Sequence, residues 1–141
     1  MATDVTERPA PDVDEENAGY WDSLRRHELA LQRCADCGRF WSPAGSFCRW
    51  CLSDRWSWER VSGRGTLYAF TVVHQVYHPA FREAAPYPAA VVELEEGPRL
   101  LATVDCAPRE LRVGMALEVG YRDLPEGFTL LAFRPVTGGT R

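Results

Sequence analysis

The first fifteen residues carry no sustained apolar pattern; they are polar and acidic, interrupted by Pro9 and Pro11, and read as a disordered tail. From about Glu16 the pattern changes. Tyr20, Leu24, His27 and Leu31 recur at helical spacing, with Trp21 beside them, predicting an amphipathic helix with an aromatic-rich stripe. The acids around Glu16 would suit the positive end of that helix's dipole. A lead-in strand completes the segment 16–32. The stripe packs on the protein's own core or docks on a partner, and the spacing alone leaves both open.

Between residues 33 and 61 the apolar positions are dominated by aromatics, and Trp56-Ser-Trp58 alternates like a strand. Ser62-Gly-Arg-Gly65 then punctuates the chain. Strand-like runs follow at Thr66–His74, Ala89–Glu95, Arg99–Cys106, Leu117–Tyr121 and Thr129–Phe133, with a short helical turn at Ala107–Leu111. Five strands with a helical turn between the third and fourth predict an OB-type barrel over 62–136. The fold class is therefore mostly β: an N-terminal helix, a ribbon at 33–61, a five-stranded OB-fold barrel, and a flexible C-terminus at 137–141. The stretch from Tyr77 to Tyr87 is the longest irregular loop, and long loops often carry binding.

The ribbon segment holds the clearest chemistry. Cys34-Ala-Asp-Cys37 and Cys48-Arg-Trp-Cys51 form two CxxC pairs with ten residues between them. Each pair predicts a tight knuckle whose backbone N–H groups point at the sulfurs, and Gly38 supplies a residue free to take positive φ where the first one turns back. Cys34, Cys37, Cys48 and Cys51 are thus expected to hold one tetrahedral zinc, with rubredoxin-type iron coordinated in the same way. Two disulfides or four unrelated thiols are the alternatives. A catalytic zinc keeps a position open for water, whereas four cysteines fill the sphere, so the expected role is structural. Phe40, Trp41, Phe47 and Trp50 exceed what so small a ribbon buries alone. With Tyr20, Trp21 and Leu24 they are the candidate partner-facing residues.

Composition narrows the function classes. Residues 1–23 hold seven acids against Arg8 alone, while the remainder carries 15 arginines and 13 acids. A body so close to neutral is not a footprint for duplex nucleic acid. No run approaches the apolar length of a membrane helix, and the N-terminus lacks the basic flank and apolar run of a signal peptide. A cytoplasmic setting is expected, in which CxxC pairs read as metal ligands. His74 and His78 fall on one face of a strand without a carboxylate pattern, so neither is expected to be catalytic, although His74 would be able to bond a ligand or partner. Cys106 is expected as a buried strand thiol. No nucleophile elbow, phosphate loop or paired-acid motif occurs.

Leu31-Gln-Arg-Cys34-Ala-Asp-Cys37-Gly-Arg39, Ser62-Gly-Arg-Gly-Thr66-Leu-Tyr68, Thr71-Val-Val-His74, Val91-Val-Glu-Leu94-Glu-Glu-Gly-Pro98-Arg-Leu100, Val113-Gly-Met115 and Phe133-Arg-Pro135 occur in that order. Over roughly residues 17–136 the chain resembles the acyl-CoA-associated family that joins a rubredoxin-like zinc ribbon to an OB fold, long known as a domain of unknown function. The family also has ribbon-less variants. The resemblance implies a non-catalytic accessory subunit of a thiolase-superfamily enzyme, a lipid-transfer-like thiolase or a retro-aldolase. It would help form the acyl-CoA site in sterol side-chain degradation, with two copies on an enzyme dimer. Candidate acyl-CoA contacts are Arg64, Tyr68, His74, Tyr77, Phe81 and Arg82, aromatics for a pantetheine channel and arginines for phosphates. A stand-alone acyl-CoA or lipid carrier is the first alternative. A single-strand nucleic-acid adaptor is the second, opposed by Glu93, Glu95 and Glu96 on the surface it would use.

Overall fold

The computed structural model describes residues 11–75, 79, 86–125 and 127–136. Residues 1–10 and 137–141, most of the loop from Tyr77, and the candidate contacts Tyr77, Phe81 and Arg82 lie outside them.

Helix α1 (Ala18–Arg25) opens after a reciprocal turn: Asp14 N–H donates to Asn17 Oδ1 (2.8 Å) and Asn17 N–H to Asp14 Oδ1 (2.9 Å). Its first turn holds no acid, because Glu16 precedes it and instead accepts a hydrogen bond from the Ser46 hydroxyl. The helix also ends sooner than the spacing predicts. His27 takes φ 56, its N–H donates to Leu24 O, and the N–H of Glu28 reaches back to Ser23 O. The His27 ring then stacks on Tyr121 at 4.9 Å, and its Nε2 lies 3.0 Å from Asp123 Oδ1. Those tertiary contacts take His27 off the helical stripe, and Leu31 is buried on a strand instead.

That strand, β1 (Ala30–Cys34), centres a small antiparallel sheet between β2 (Phe40–Trp41) and β3 (Trp56–Arg60). Gln32 is buried at its middle, and its amide is satisfied by exchanging two hydrogen bonds with Gly45, at 2.8 and 2.9 Å.

The second sheet begins after Gly63, whose φ of +79 suits glycine and where a Cβ would meet Val119 Cγ1 at 2.4 Å. It contains β4 (Arg64–Val73), β5 (Tyr87–Leu94), β6 (Arg99–Val104), β7 (Ala116–Glu118), β8 (Tyr121–Asp123) and β9 (Thr129–Pro135), in the order β6-β5-β4-β7-β9-β8. A parallel pairing of β6 with β9, Thr103 beside Ala132 and Val104 beside Phe133, closes it into a barrel. A 3-10 turn at Pro108–Glu110 sits between the third and fourth barrel strands, where a helical turn is predicted. The predicted strand Leu117–Tyr121 is broken in two: β7 pairs with β4 and β9, whereas β8 pairs with β9 alone.

On β5 the even-numbered residues from Pro88 to Leu94 are buried and their neighbours less so, the period of two that a half-buried strand requires. One core cluster joins Leu24 of the helix and Leu29 and Leu31 of the ribbon root to Val61, Leu67, Val92, Leu117 and Phe133 of the barrel. A smaller one holds Cys34, Trp41 and Cys48, with Trp56 against it. Cys106 differs from expectation: it is half-buried just past the end of β6, with its thiol pushed up by desolvation, then by Glu110 and Asp105.

Candidate functional site

Cys34 ends β1 and Cys37 follows in the turn to β2; Cys48 and Cys51 lie in the connection from β2 to β3. The two turns repeat one geometry. Gly38 N–H donates to Cys34 O, and Leu52 N–H to Cys48 O, each at 3.0 Å. Asp36 and Cys37 aim their N–H groups at Cys34 Sγ (3.3 and 3.4 Å), as Trp50 and Cys51 do at Cys48 Sγ (3.3 and 3.5 Å). These are the knuckle bonds expected from the spacing. A strap across the base joins the two turns, with Asp36 accepting from both Ser53 and Arg55.

The four sulfurs lie within 4.8 Å of one another; Cys34 Sγ is 3.5 Å from Cys51 Sγ and Cys37 Sγ is 3.6 Å from Cys48 Sγ. Four thiolates around zinc at about 2.3 Å stand about 3.8 Å apart in a regular tetrahedron, so the set fits the ion. Its electrostatics point the same way. The Cys34 thiol is drawn down to about 6, chiefly by the Cys37 N–H. Cys48 is also lowered: desolvation is its largest single influence and raises it, but the N–H groups of Cys51 and Trp50 together with the Cys37 and Cys51 thiols outweigh it. Cys37 and Cys51 move up instead. Backbone bonds from Arg39 and Ser53 favour their thiolates, but desolvation and the neighbouring sulfurs prevail, and Cys51 reaches about 12. Four adjacent sulfurs cannot all carry negative charge without a cation among them. A cation held by Cys34, Cys37, Cys48 and Cys51, with its sphere filled, would fasten the ribbon.

The aromatics divide sharply. Trp41 is buried within the ribbon, edge-on to Trp56 at 6.3 Å, and its indole N–H has no acceptor among the described residues. Leu24 is fully buried in the main core. Neither offers a surface to a partner, which corrects two of the seven candidates; both are consumed by the chain's own packing. Phe40 is half-buried beneath the Arg33 guanidinium. Tyr20 and Trp21 are half-buried and edge-to-face at 5.1 Å, and desolvation pushes the Tyr20 hydroxyl up to about 12, with Tyr121 adding to it. Phe47 and Trp50 stand out, 59% and 56% exposed.

Beside them is a residue that sequence reasoning missed. Leu52 is 75% exposed and holds φ 64, although it is neither glycine nor asparagine. Overlaying Cys34–Gly38 on Cys48–Leu52 would have flagged it, since leucine stands where the first knuckle has glycine. Leu101, 83% exposed on β6, was also missed.

The three candidate acyl-CoA contacts among the described residues, Arg64, Tyr68 and His74, are not gathered together. Arg64 begins β4 and is held by Glu95, Nε 3.1 Å from Oε1. Exposed His74 lies past the strand's other end, about 30 Å away at the usual rise per residue. Tyr68, near the middle of β4, lies under the Arg99 guanidinium at 3.8 Å. The acids nearby are engaged too: Glu93 with Arg99, and Glu96 with the N–H of Ser62. Among the described residues, no helix is long and apolar enough to cross a membrane.

Comparison with known proteins agrees with this architecture. Residues 21–57 match the family described as "ChsH2, rubredoxin-like zinc ribbon domain", and residues 58–122 match "ChsH2, C-terminal OB-fold domain". A "DUF35 domain-containing scaffold protein" of Methanocaldococcus jannaschii is 38% identical over 75% of this chain and 77% of its own length. The "3-oxo-4,17-pregnadiene-20-carboxyl-CoA hydratase alpha subunit" of Mycobacterium tuberculosis is 34% identical over 89% of this chain. A "Probable enoyl-CoA hydratase alpha subunit" of Thermomonospora curvata is 36% identical over 91%. The chain spans only 39% and 40% of those two relatives, respectively. A chain of the solved "Ltp2-ChsH2(DUF35) aldolase" superposes with TM-score 0.80 and 35% identity, covering 89% of this chain and 98% of that one. This chain belongs to the ChsH2-type DUF35 family of zinc ribbon–OB-fold proteins.

Proposed function

We propose that the chain is a non-catalytic accessory subunit that docks on a thiolase-superfamily enzyme and helps form its acyl-CoA site, in the breakdown of sterol side chains. The observation that carries this reading is the likeness to the chain in the Ltp2-ChsH2 aldolase, which extends over 98% of that chain's length. The relative named for a pregnadiene-carboxyl-CoA supports a steroid thioester as substrate class, and the archaeal relatives named as scaffolds support a role without chemistry of its own. The metal sphere filled by Cys34, Cys37, Cys48 and Cys51 fits that division of labour: the Claisen or retro-aldol step would use groups of the partner. Phe47, Trp50 and Leu52 would anchor the contact as exposed aromatic and aliphatic side chains on a rigid, metal-fastened turn. Two copies on an enzyme dimer would satisfy its symmetry.

The test is co-expression with the thiolase-fold enzyme encoded nearest to it, followed by co-purification and activity assay. The expected result is a stable complex more active than the enzyme alone, and Phe47→Ser with Leu52→Ser would weaken it without unfolding the chain. Separate purification, with full activity in the enzyme alone, would refute the proposal. The relatives named as hydratase alpha subunits favour a second reading, in which the partner is an enoyl-CoA hydratase. Co-expression with each class in turn separates the two.

A further inference from the structure

The barrel has an open edge along its longest strand. β4 is paired with β5 on one side from Gly65 to Val73, but its other side is covered only at the start. There β7 pairs with Arg64–Thr66, Leu67 N–H donates to Met115 O at 3.0 Å, and Leu67 O accepts from Gly114 N–H at 2.7 Å. Past Leu67 no strand among the described residues lies along that side.

Pro88 decides which backbone groups are left open. It stands opposite Val72, has no N–H to give, and turns its carbonyl toward β6, where it accepts from the Thr103 hydroxyl at 3.2 Å. Val72 and Pro88 are therefore a non-hydrogen-bonded pair, and Val72 directs its N–H and C=O away from β5. The register shift in β4 falls between Leu67 and Ala69, so regular alternation beyond it makes Phe70 do the same. The outward groups of both residues have no partner among the described residues. Their side chains share a sheet face with buried Ala90 and Pro88, yet Phe70 is 37% exposed and stands outside the core cluster.

Such edges are commonly guarded by charge or proline. From Gly65 to Gln75 the chain has neither. That absence favours one occupant. Identical strands carry identical charges, so a charged edge tends to repel its own copy, and this one has nothing to repel. About a two-fold axis at Thr71, Phe70 of one copy stands opposite Val72 of the other. Both are outward-directed, so each such pair exchanges N–H···O=C bonds and sets an aromatic against a β-branched side chain. Thr71 meets Thr71 on the other face. No other two-fold register along this edge matches the two open residues to each other.

We propose that the chain self-associates through this edge, as a two-fold dimer in which β4 pairs antiparallel with β4 of a second copy. The contact uses a barrel strand and not the ribbon turns of Phe47, Trp50 and Leu52, so it stands whether or not the accessory role does.

The test is sedimentation equilibrium of the zinc-loaded full chain without any enzyme, joined to amide exchange read by NMR. So short an edge buries less than a standard interface, so the dissociation constant should be about micromolar or weaker. The Phe70 and Val72 amides should gain protection about tenfold or more as concentration rises, while Ala69, Thr71 and Val73, already bonded to β5, change little. V72P removes only an outward N–H, at an edge position where proline is tolerated, so Tm should stay near the parent's while association weakens about tenfold or more. Should V72P fail to fold, exposed Thr71 supplies a second pair of variants. T71K and T71E should each associate severalfold more weakly, with like charges opposed at the axis, and mixing the two should restore association. A chain that stays monomeric up to roughly millimolar concentration overturns the proposal. So does a dimer that leaves the Phe70 and Val72 amides unprotected, or T71K and T71E that associate as well alone as mixed. Protection that appears only when a thiolase-fold enzyme is added assigns the edge to a strand of that enzyme and also overturns it. Co-purification with the enzyme is scored separately, so a monomer that still co-purifies refutes this inference alone.

Discussion

Leu52 offers the sharpest perturbation. It occupies, in the second knuckle, the place that Gly38 occupies in the first, and both hold the left-handed conformation, φ 64 and φ +77. For a residue with a Cβ that conformation costs about 1–2 kcal/mol. Replacing Leu52 by glycine removes the cost but returns about 0.4–1 kcal/mol of unfolded-state entropy. Little burial is at stake, because the side chain is 75% exposed. L52G should therefore stabilise the free chain by roughly 0.5–1 kcal/mol, a rise of about 2–4 °C in Tm. Gly38 supplies the converse: a Cβ there would meet nothing within 4 Å, so G38A isolates the conformational term and should cost about 1 kcal/mol. Urea and thermal unfolding of the zinc-loaded protein measure both. If Leu52 is kept for docking, L52G should also weaken co-purification with the partner while raising Tm. A destabilised L52G, or a G38A as stable as the parent, would refute the reasoning, because the leucine would then carry no backbone strain to relieve.

Chelation of zinc, or Cys34→Ser or Cys51→Ser, should unfold the ribbon and abolish partner docking, followed by metal stoichiometry and circular dichroism; zinc affinity should fall on acidification as protons compete for the thiolates. Phe133→Ala, at a fully buried site, should cost about 3–5 kcal/mol in urea unfolding. Gly63→Ala combines a positive φ with a Cβ 2.4 Å from Val119 Cγ1, so it should destabilise by more than the roughly 1–2 kcal/mol of the conformation alone. Adding Val119→Ala should recover only the steric part. Asp123 is held below the usual carboxylate range by the Thr129 hydroxyl, then by His27. A lowered folded-state value stabilises the fold above the unfolded pKa of about 3.9, and the gain is lost as pH falls through the folded value. The stability gap between the parent and Asp123→Asn should accordingly close as pH is lowered below about 4.

What could be read from the sequence was local. The four cysteines carry their chemistry in their own spacing, and β5 declares itself as the apolar, β-branched run Ala89–Glu95 that stops at the Glu96-Gly-Pro98 turn. The end of α1 was not legible, because Tyr121 and Asp123, far along the chain, draw His27 off the helix face. Arg64 looked free for the same reason: its partner Glu95 is brought alongside only when β4 and β5 pair. Counting aromatics in the ribbon showed that some must pack on the next domain or stay exposed, but not which. The choice fell to Trp41, on a strand backed by Trp56, over Phe47 and Trp50, which sit on turns. Leu52 was hidden because nothing in a leucine betrays its φ; only comparison of the two knuckles exposes it.

Because Leu24, Leu29 and Leu31 are walls of the barrel's core as well as the root of the ribbon, the two halves are not interchangeable cassettes. A barrel cut free at residue 58 would present to water the apolar face that those leucines cover. A ribbon grafted elsewhere would carry an unmatched apolar underside. Any lineage that discards the ribbon must refit that face, and any gene fusion that borrows this chain must take helix, ribbon and barrel as one piece.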